Sequence, residues 1–246
     1  MTVADRELRA SAPSLSDDEM GALAADPSPR VRRVVAGRDD LTASAAGALA
    51  GDRDREVRER LADNPACPAG LLGHLMDDPL WRVRWTAAQN TSPDPAVRET
   101  ALRSPRPDVR EALARRRDLT LEMSTALAGD PHVDVRLQLL WSSPWQQIPV
   151  HLAADPSPRV RAEVAGSDRV TGTPLRELAS DKTAAVRAAA AGNPRTPRDV
   201  VMNLARDRST AVRRALVALR PGDPEVSAAL RDDPEPDIAR RAGRRP

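Results

Sequence analysis

The 246-residue chain carries 38 basic and 36 acidic residues, for a formal net charge of +2, and it holds four Trp, no Phe, no Tyr and one cysteine, Cys67. A lone cysteine excludes a disulfide framework or a cysteine-rich metal site within the chain. Interspersed charges of both signs lack the basic block that marks a nucleic-acid binder, and an arginine excess with Lys182 as the only lysine fits the codon usage of a GC-rich genome.

Residues 1–14 are polar and contain no apolar run of the kind that starts a secretory leader. No stretch approaches the ~20 apolar residues that span a bilayer. The setting expected from this is cytoplasmic, without membrane contact.

From residue 15 a period appears. Val-Arg recurs at Val31-Arg32, Val57-Arg58, Val83-Arg84, Val109-Arg110, Val135-Arg136, Val160-Arg161, Val186-Arg187 and Val212-Arg213. The spacing is 26 residues except for 25 between Val135 and Val160, and Ile238 extends the register to a ninth unit. Val97-Arg98 lies out of phase. Eight residues before each valine sits a leucine, from Leu23 to Leu230, with Ala101 the one departure. Five residues before it sits an aspartate, from Asp26 to Asp233, with Ser104 the one departure. Phase-locked columns at this period are the signature of a solenoid, whose repeats share one continuous core.

Each unit reads as two short helices. In the third, Leu71, Leu72 and Leu75 recur at helical spacing. Asp78-Pro79 follows, an N-cap side chain before a residue whose fixed φ suits a first helical position. Val83 and Ala87 then share one face, and Asn90 closes the helix. Asn64-Pro65 and Asn193-Pro194 end helices in the same way, because Pro disfavours helix at the residue before it. Ser16 and Glu19 form a capping box at the first repeat. The expected fold is all-α: an α-solenoid, a superhelical array of nine two-helix repeats over residues 15–242, with a basic tail at 243–246. Arg240, Arg241, Arg244 and Arg245 give its closing end a polar surface.

The pattern Leu49, Asp52, Val57, Arg58, Leu61, Ala62, Asn64, Pro65 resembles the variant leucine-rich repeat, and Asp-x4-Val-Arg resembles the second helix of HEAT-type repeats. The first resemblance implies α-helices alternating with 3₁₀ helices in a right-handed superhelix. It implies a fold and no activity. Some members of that family carry a cysteine-rich iron–sulfur module, which a chain with only Cys67 cannot hold.

Two sets of residues are candidates for function. Arg32, Arg58, Arg84, Arg110, Arg136, Arg161, Arg187 and Arg213 form a ladder that could track phosphates. The preferred reading is structural, with Asp155 and Arg161, Asp181 and Arg187, and Asp207 and Arg213 bonding between helices and repeats, since Arg grips carboxylates bidentately. Ser104 leaves Arg110 without an aspartate in its own repeat, so Arg110 is expected to be available to a partner. The second set is aromatic. Trp81, Trp85 and Trp141 fall four apart in repeat register, on the helical face opposite the valines, and such residues are enriched at binding hot spots. A partner surface is expected at Trp81, Trp85, Arg110, Glu111, Arg115 and Trp141, while Trp145 reads as filling an irregular repeat. His74, His132 and His151 show no metal-ligand spacing, and no nucleophile–base arrangement or phosphate-cradling glycine loop occurs. No catalytic residue, cofactor or metal is expected. The reading is a non-enzymatic scaffold that binds a protein or peptide partner through its concave surface. Nucleic-acid binding comes second, and a HEAT-like DNA glycosylase activity third.

Overall fold

A computed structural model describes residues 1–243, and the expected basic tail therefore falls outside the described residues from Arg244 onward. The described residues form nineteen helices and no strand. They fall into two compact units, one from Met1 to Leu119 and one from Thr120 onward.

The first unit holds α1 (Val3–Ala10), α2 (Asp17–Ala24), α3 (Pro29–Ala36), α4 (Ala43–Ala50), α5 (Arg55–Asp63), α6 (Ala69–Leu75), α7 (Trp81–Gln89), α8 (Pro95–Arg103) and α9 (Pro107–Ala114). From α2 on, these are four helix pairs, one per repeat. The second helices α3, α5, α7 and α9 pack side by side in one layer, and the first helices α2, α4, α6 and α8 in another. The polar segment 1–14 contains α1, which packs on α2 and α3 in the position of a second helix.

The second unit holds α10 (Leu121–Ala128), α11 (Val133–Ser142), α12 (Gln147–Leu152), α13 (Pro158–Gly166), α14 (Gly172–Leu178), α15 (Ala184–Gly192), α16 (Arg198–Leu204), α17 (Thr210–Leu219), α18 (Pro224–Leu230) and α19 (Pro236–Gly243). These are five more pairs, with α11, α13, α15, α17 and α19 packed in sequence. The single 25-residue spacing is absorbed by α12, which has only six residues.

The columns become the core. Val31, Val57, Val83, Val109, Val135, Val160, Val186 and Val212 are all buried, and so are Val35, Leu61, Leu113, Leu139, Val164 and Leu216 four residues on. Helices this short are marginal in isolation, so burial against the neighbouring repeat supplies most of their stability. In repeat four, where the leucine column holds Ala101, the out-of-phase Val97 is buried on the same helix and fills the layer instead. Cys67 is buried too, and burial pushes its thiol up to about 12.

Two expectations are corrected. The 3₁₀ helices implied by the resemblance do not occur among the described residues: first helices close α-type rings, as in Leu72 N donating to Pro68 O at 3.0 Å and Met76 N to Leu72 O at 2.9 Å. Asp78 is not the N-cap of α7, a position taken by Leu80. The Asp78 carboxylate stands two residues earlier, accepting from Leu80 N at 2.8 Å and from an arginine of the preceding repeat. An aspartate already held by a guanidinium shapes the loop and leaves the helix end to other residues.

Asp223 is a true cap, accepting from Glu225 N and Val226 N at the start of α18. Its carboxylate also takes Arg198 Nη2 at 2.9 Å. Hydrogen bonding to Arg198, against partial burial, draws its pKa from 3.8 down to about 2. A folded pKa below the unfolded one means a stabilising contribution that is complete above about pH 4 and disappears as pH falls through 2. The Asp223 carboxyl carbon is expected to titrate near 2 by NMR, and Arg198→Gln to return the midpoint toward 3.8. A wild-type midpoint already near 3.8 would refute the pairing.

Candidate functional site

The ladder arginine Arg161 is a three-way clamp. Arg161 donates through Nη1 to the Asp155 backbone oxygen at 2.7 Å, within its own repeat. Its Nε and Nη2 fork onto the Asp181 carboxylate of the next repeat at 2.6 and 3.1 Å. Asp181 Oδ1 accepts in turn from Thr183 N at 2.7 Å. Arg187 holds the Asp181 oxygen and the Asp207 carboxylate, and Arg213 holds the Asp207 oxygen and the Asp233 carboxylate. The carboxylate partner therefore lies 20 residues downstream for Arg161, Arg187 and Arg213. The aspartate six residues upstream, which the spacing singles out, gives only its carbonyl. Hydrogen bonding to these arginines, against burial, holds the carboxyls of Asp181, Asp207 and Asp233 below the ordinary aspartate range.

The first unit repeats the arrangement. Arg32 pairs with Asp52 and Arg58 with Asp78. Arg6 on α1 pairs with Asp26 at 2.7 Å, one repeat period before Arg32. At Arg84 the next aspartate would be position 104, which is serine. Asp108, on the first turn of α9, takes its place and accepts from Arg84 Nε at 2.7 Å. Arg110 donates to the Ser104 oxygen at 2.7 Å, as the other rungs do to their own loops. The residue deprived by Ser104 is thus Arg84, one repeat earlier than the spacing suggests.

A second set of clamps closes the opposite end of the second helices. Asn64 Nδ2 donates to the Ala36 and Arg38 oxygens, Asn90 Nδ2 to those of Ala62 and Asn64, and Asn193 Nδ2 to those of Ala165 and Ser167. The last carbonyls of an α-helix lack partners within it, and here the next repeat supplies them. In other units arginine does the work: Arg116, Arg169 and Arg220 each donate to carbonyls of the preceding repeat, and Arg38 donates to the Ala10 and Ala12 oxygens of the 1–14 segment. In the sequence these asparagines mark helix stops, and their common repeat phase is the signal of the clamp.

The tryptophans lie apart from both sets. Trp81 is 58% exposed and Trp141 is 59% exposed, while Trp85 and Trp145 are half-buried. In the first unit, Trp81 and Trp85 stand one turn apart on the outer face of α7. They line a shallow groove of about 360 Å³ with Arg82, Thr86 and Glu59, the last from α5. The Arg82 guanidinium lies over the Trp81 ring, 5.6 Å from its centroid. On the helices before α7 the same face is occupied by ion pairs, Arg30 with Glu7, Arg33 with Glu56 and Arg60 with Asp63. In the second unit, Trp141 lies in the last turn of α11 and Val150, also exposed, on α12. Glu111 is half-buried on α9, and Arg115 is exposed at its end. His74, His132 and His151 are exposed. Among the described residues, no group of three or more His, Cys, Asp or Glu could hold a metal ion, and no helix is long and apolar enough to cross a membrane.

No family model and no curated protein matches the chain. Among solved structures it is similar to a leucine-rich repeat variant described as having a novel repetitive structural motif, at 25% identity and a TM-score of 0.58, over 82% of this chain and 83% of that one. That similarity agrees with the resemblance read from residues 49–65. The Escherichia coli protein YibA aligns at 17% identity over 98% of this chain and 95% of its own, with a TM-score of 0.36. A designed armadillo repeat protein in complex with the peptide (KR)4 aligns at 14% identity over 97% of this chain and 87% of its own, with a TM-score of 0.20. TM-scores this low establish no common architecture.

Proposed function

We propose that this helical-repeat chain, similar to a leucine-rich repeat variant, is a non-enzymatic scaffold whose repeat array, residues 15–242, binds a protein or peptide partner through the outward face of its second helices. The observation that carries this reading is the exposure of Trp81 and Trp141 in a chain with no other aromatic residues than its four tryptophans. Large aromatic side chains left in water on an otherwise charged surface are what binding hot spots look like before the partner arrives. The ladder arginines favour this reading over a nucleic-acid track, because their guanidiniums are spent on aspartates and loop carbonyls.

The test uses the partner captured by the intact chain. Trp81→Ala, Trp85→Ala and Trp141→Ala are each measured for partner affinity and for thermal stability. An anchor of this kind contributes about 2 kcal/mol or more, roughly 30-fold in affinity. Such a loss with an unchanged melting curve is expected for at least one of the exposed pair Trp81 and Trp141. Binding should also persist as salt rises, whereas phosphate-directed binding falls steeply. Three variants that lose stability and keep affinity would place the binding surface elsewhere.

A further inference from the structure

We propose that the groove between α5 and α7 is a receptor for a single arginine side chain presented by the partner, stacked on Trp85 and forked onto Glu59. This rests on the scaffold reading and gives its first-unit surface a chemistry.

Charge is the first argument. On the outward face of α3 and α5, Arg30, Glu56 and Asp63 are matched by Glu7, Arg33 and Arg60. Glu59 is different: it is half-buried, it is the one carboxylate lining the tryptophan groove, and among the described residues it enters no hydrogen bond or ion pair. A carboxylate partly withdrawn from water without a cation is a standing attraction for one. Its repeat column places it next to Trp85, since both lie two residues after their valines, Val57 and Val83, on helices packed together.

Ring geometry is the second. The protein's own Arg82 already sets a guanidinium over Trp81. Among the described residues no cation covers Trp85, which lines the same groove. A planar guanidinium satisfies both vacant features together, with its face on the indole and two N–H groups on the carboxylate. An ammonium satisfies them less well, being a strongly hydrated point charge without a face to stack. Arg82 at the rim repels a second positive charge, so the fitting segment carries one arginine among neutral or acidic residues rather than a basic run.

The probe is the peptide acetyl-Gly-Gly-Arg-Gly-Gly-amide, titrated into the full-length chain while the four indole N–H signals are followed by NMR. Trp85→Phe and Trp81→Phe assign the signals. The Trp85 signal is expected to shift saturably. The citrulline peptide, which has the same shape without charge, should bind at least about tenfold more weakly, and Glu59→Gln should weaken the arginine peptide by about tenfold with an unchanged melting curve. Equal binding of the citrulline peptide overturns the proposal, as does indifference to Glu59→Gln. So does a single-stranded oligonucleotide that shifts Trp85 at lower concentration than the arginine peptide. The two readings fail separately: a partner that needs Trp81 or Trp85 but not Glu59 leaves the scaffold standing and removes the arginine.

Discussion

Asp155→Ala is expected to lower the stability of the second unit by about 3–5 kcal/mol, the cost of removing one partner from a buried ion pair. Asp155 accepts from Arg136 Nε and Nη2 at 2.6 and 2.8 Å, and both residues are buried. Without it a guanidinium remains out of water with only the Asp130 oxygen to accept from Nη1. The loop loses a second bond as well, since Asp155 Oδ1 accepts from Ser157 N at 2.8 Å. Asp199→Ala is the control. Asp199 pairs with Arg176 at 2.5 Å, but both side chains are about half exposed or more, and such pairs contribute little. Denaturant melts of the two variants separate the cases. Equal midpoints would mean that water substitutes for the rung and that the ladder is free to serve a ligand.

Asn193→Ala is expected to cost roughly 2–4 kcal/mol, because it strands polar groups in a buried position. The side chain is 1% exposed and donates to the Ala165 and Ser167 oxygens at 2.7 Å. It also accepts from Arg195 N at 2.9 Å. Asn193→Asp is the sharper variant: it keeps the acceptor and the shape and removes the donor, so the two carbonyls face a carboxylate. Both should accelerate amide exchange at the end of α13 and the start of the following loop. If exchange there is unchanged in both, the asparagine terminates its helix and does nothing between repeats.

These clamps show where the sequence was readable. The valine and leucine columns identify the buried face because apolar side chains at a fixed phase can be accommodated only by a repeated core. The aspartate and arginine columns were equally visible, but one period of sequence does not say whether a pair closes within a repeat or across to the next. Arg161 reaches Asp181 and not the Asp155 side chain, because its guanidinium extends toward the neighbouring loop. For the same reason the consequence of Ser104 falls on Arg84, and Asp108 was not legible as its substitute. Arg6 could have been placed, since it precedes Arg32 by one period and is followed by Asp26 twenty residues on. The outward orientation of Trp81 and Trp141 follows from their register. Glu59 does not announce itself, because a missing partner is a property of three-dimensional neighbours.

The rung from one aspartate to the next has a consequence for how such a chain changes length. The stretch Pro156–Asp181 begins just after one carboxylate and ends with the next, and it contains its own arginine, Arg161. A tandem duplication of that stretch brings one donor and one acceptor of its own. The new junction is then chemically the same as the old one, with Arg136 still meeting an aspartate above and Arg187 one below. Length is thereby a nearly neutral variable in this region: recombination between similar segments can add or remove a whole module without creating an unmatched charge. Around Asp108 the same exchange is not neutral, because there the acceptor has moved onto a helix and a cut at Ser104 would carry Arg84 away from it.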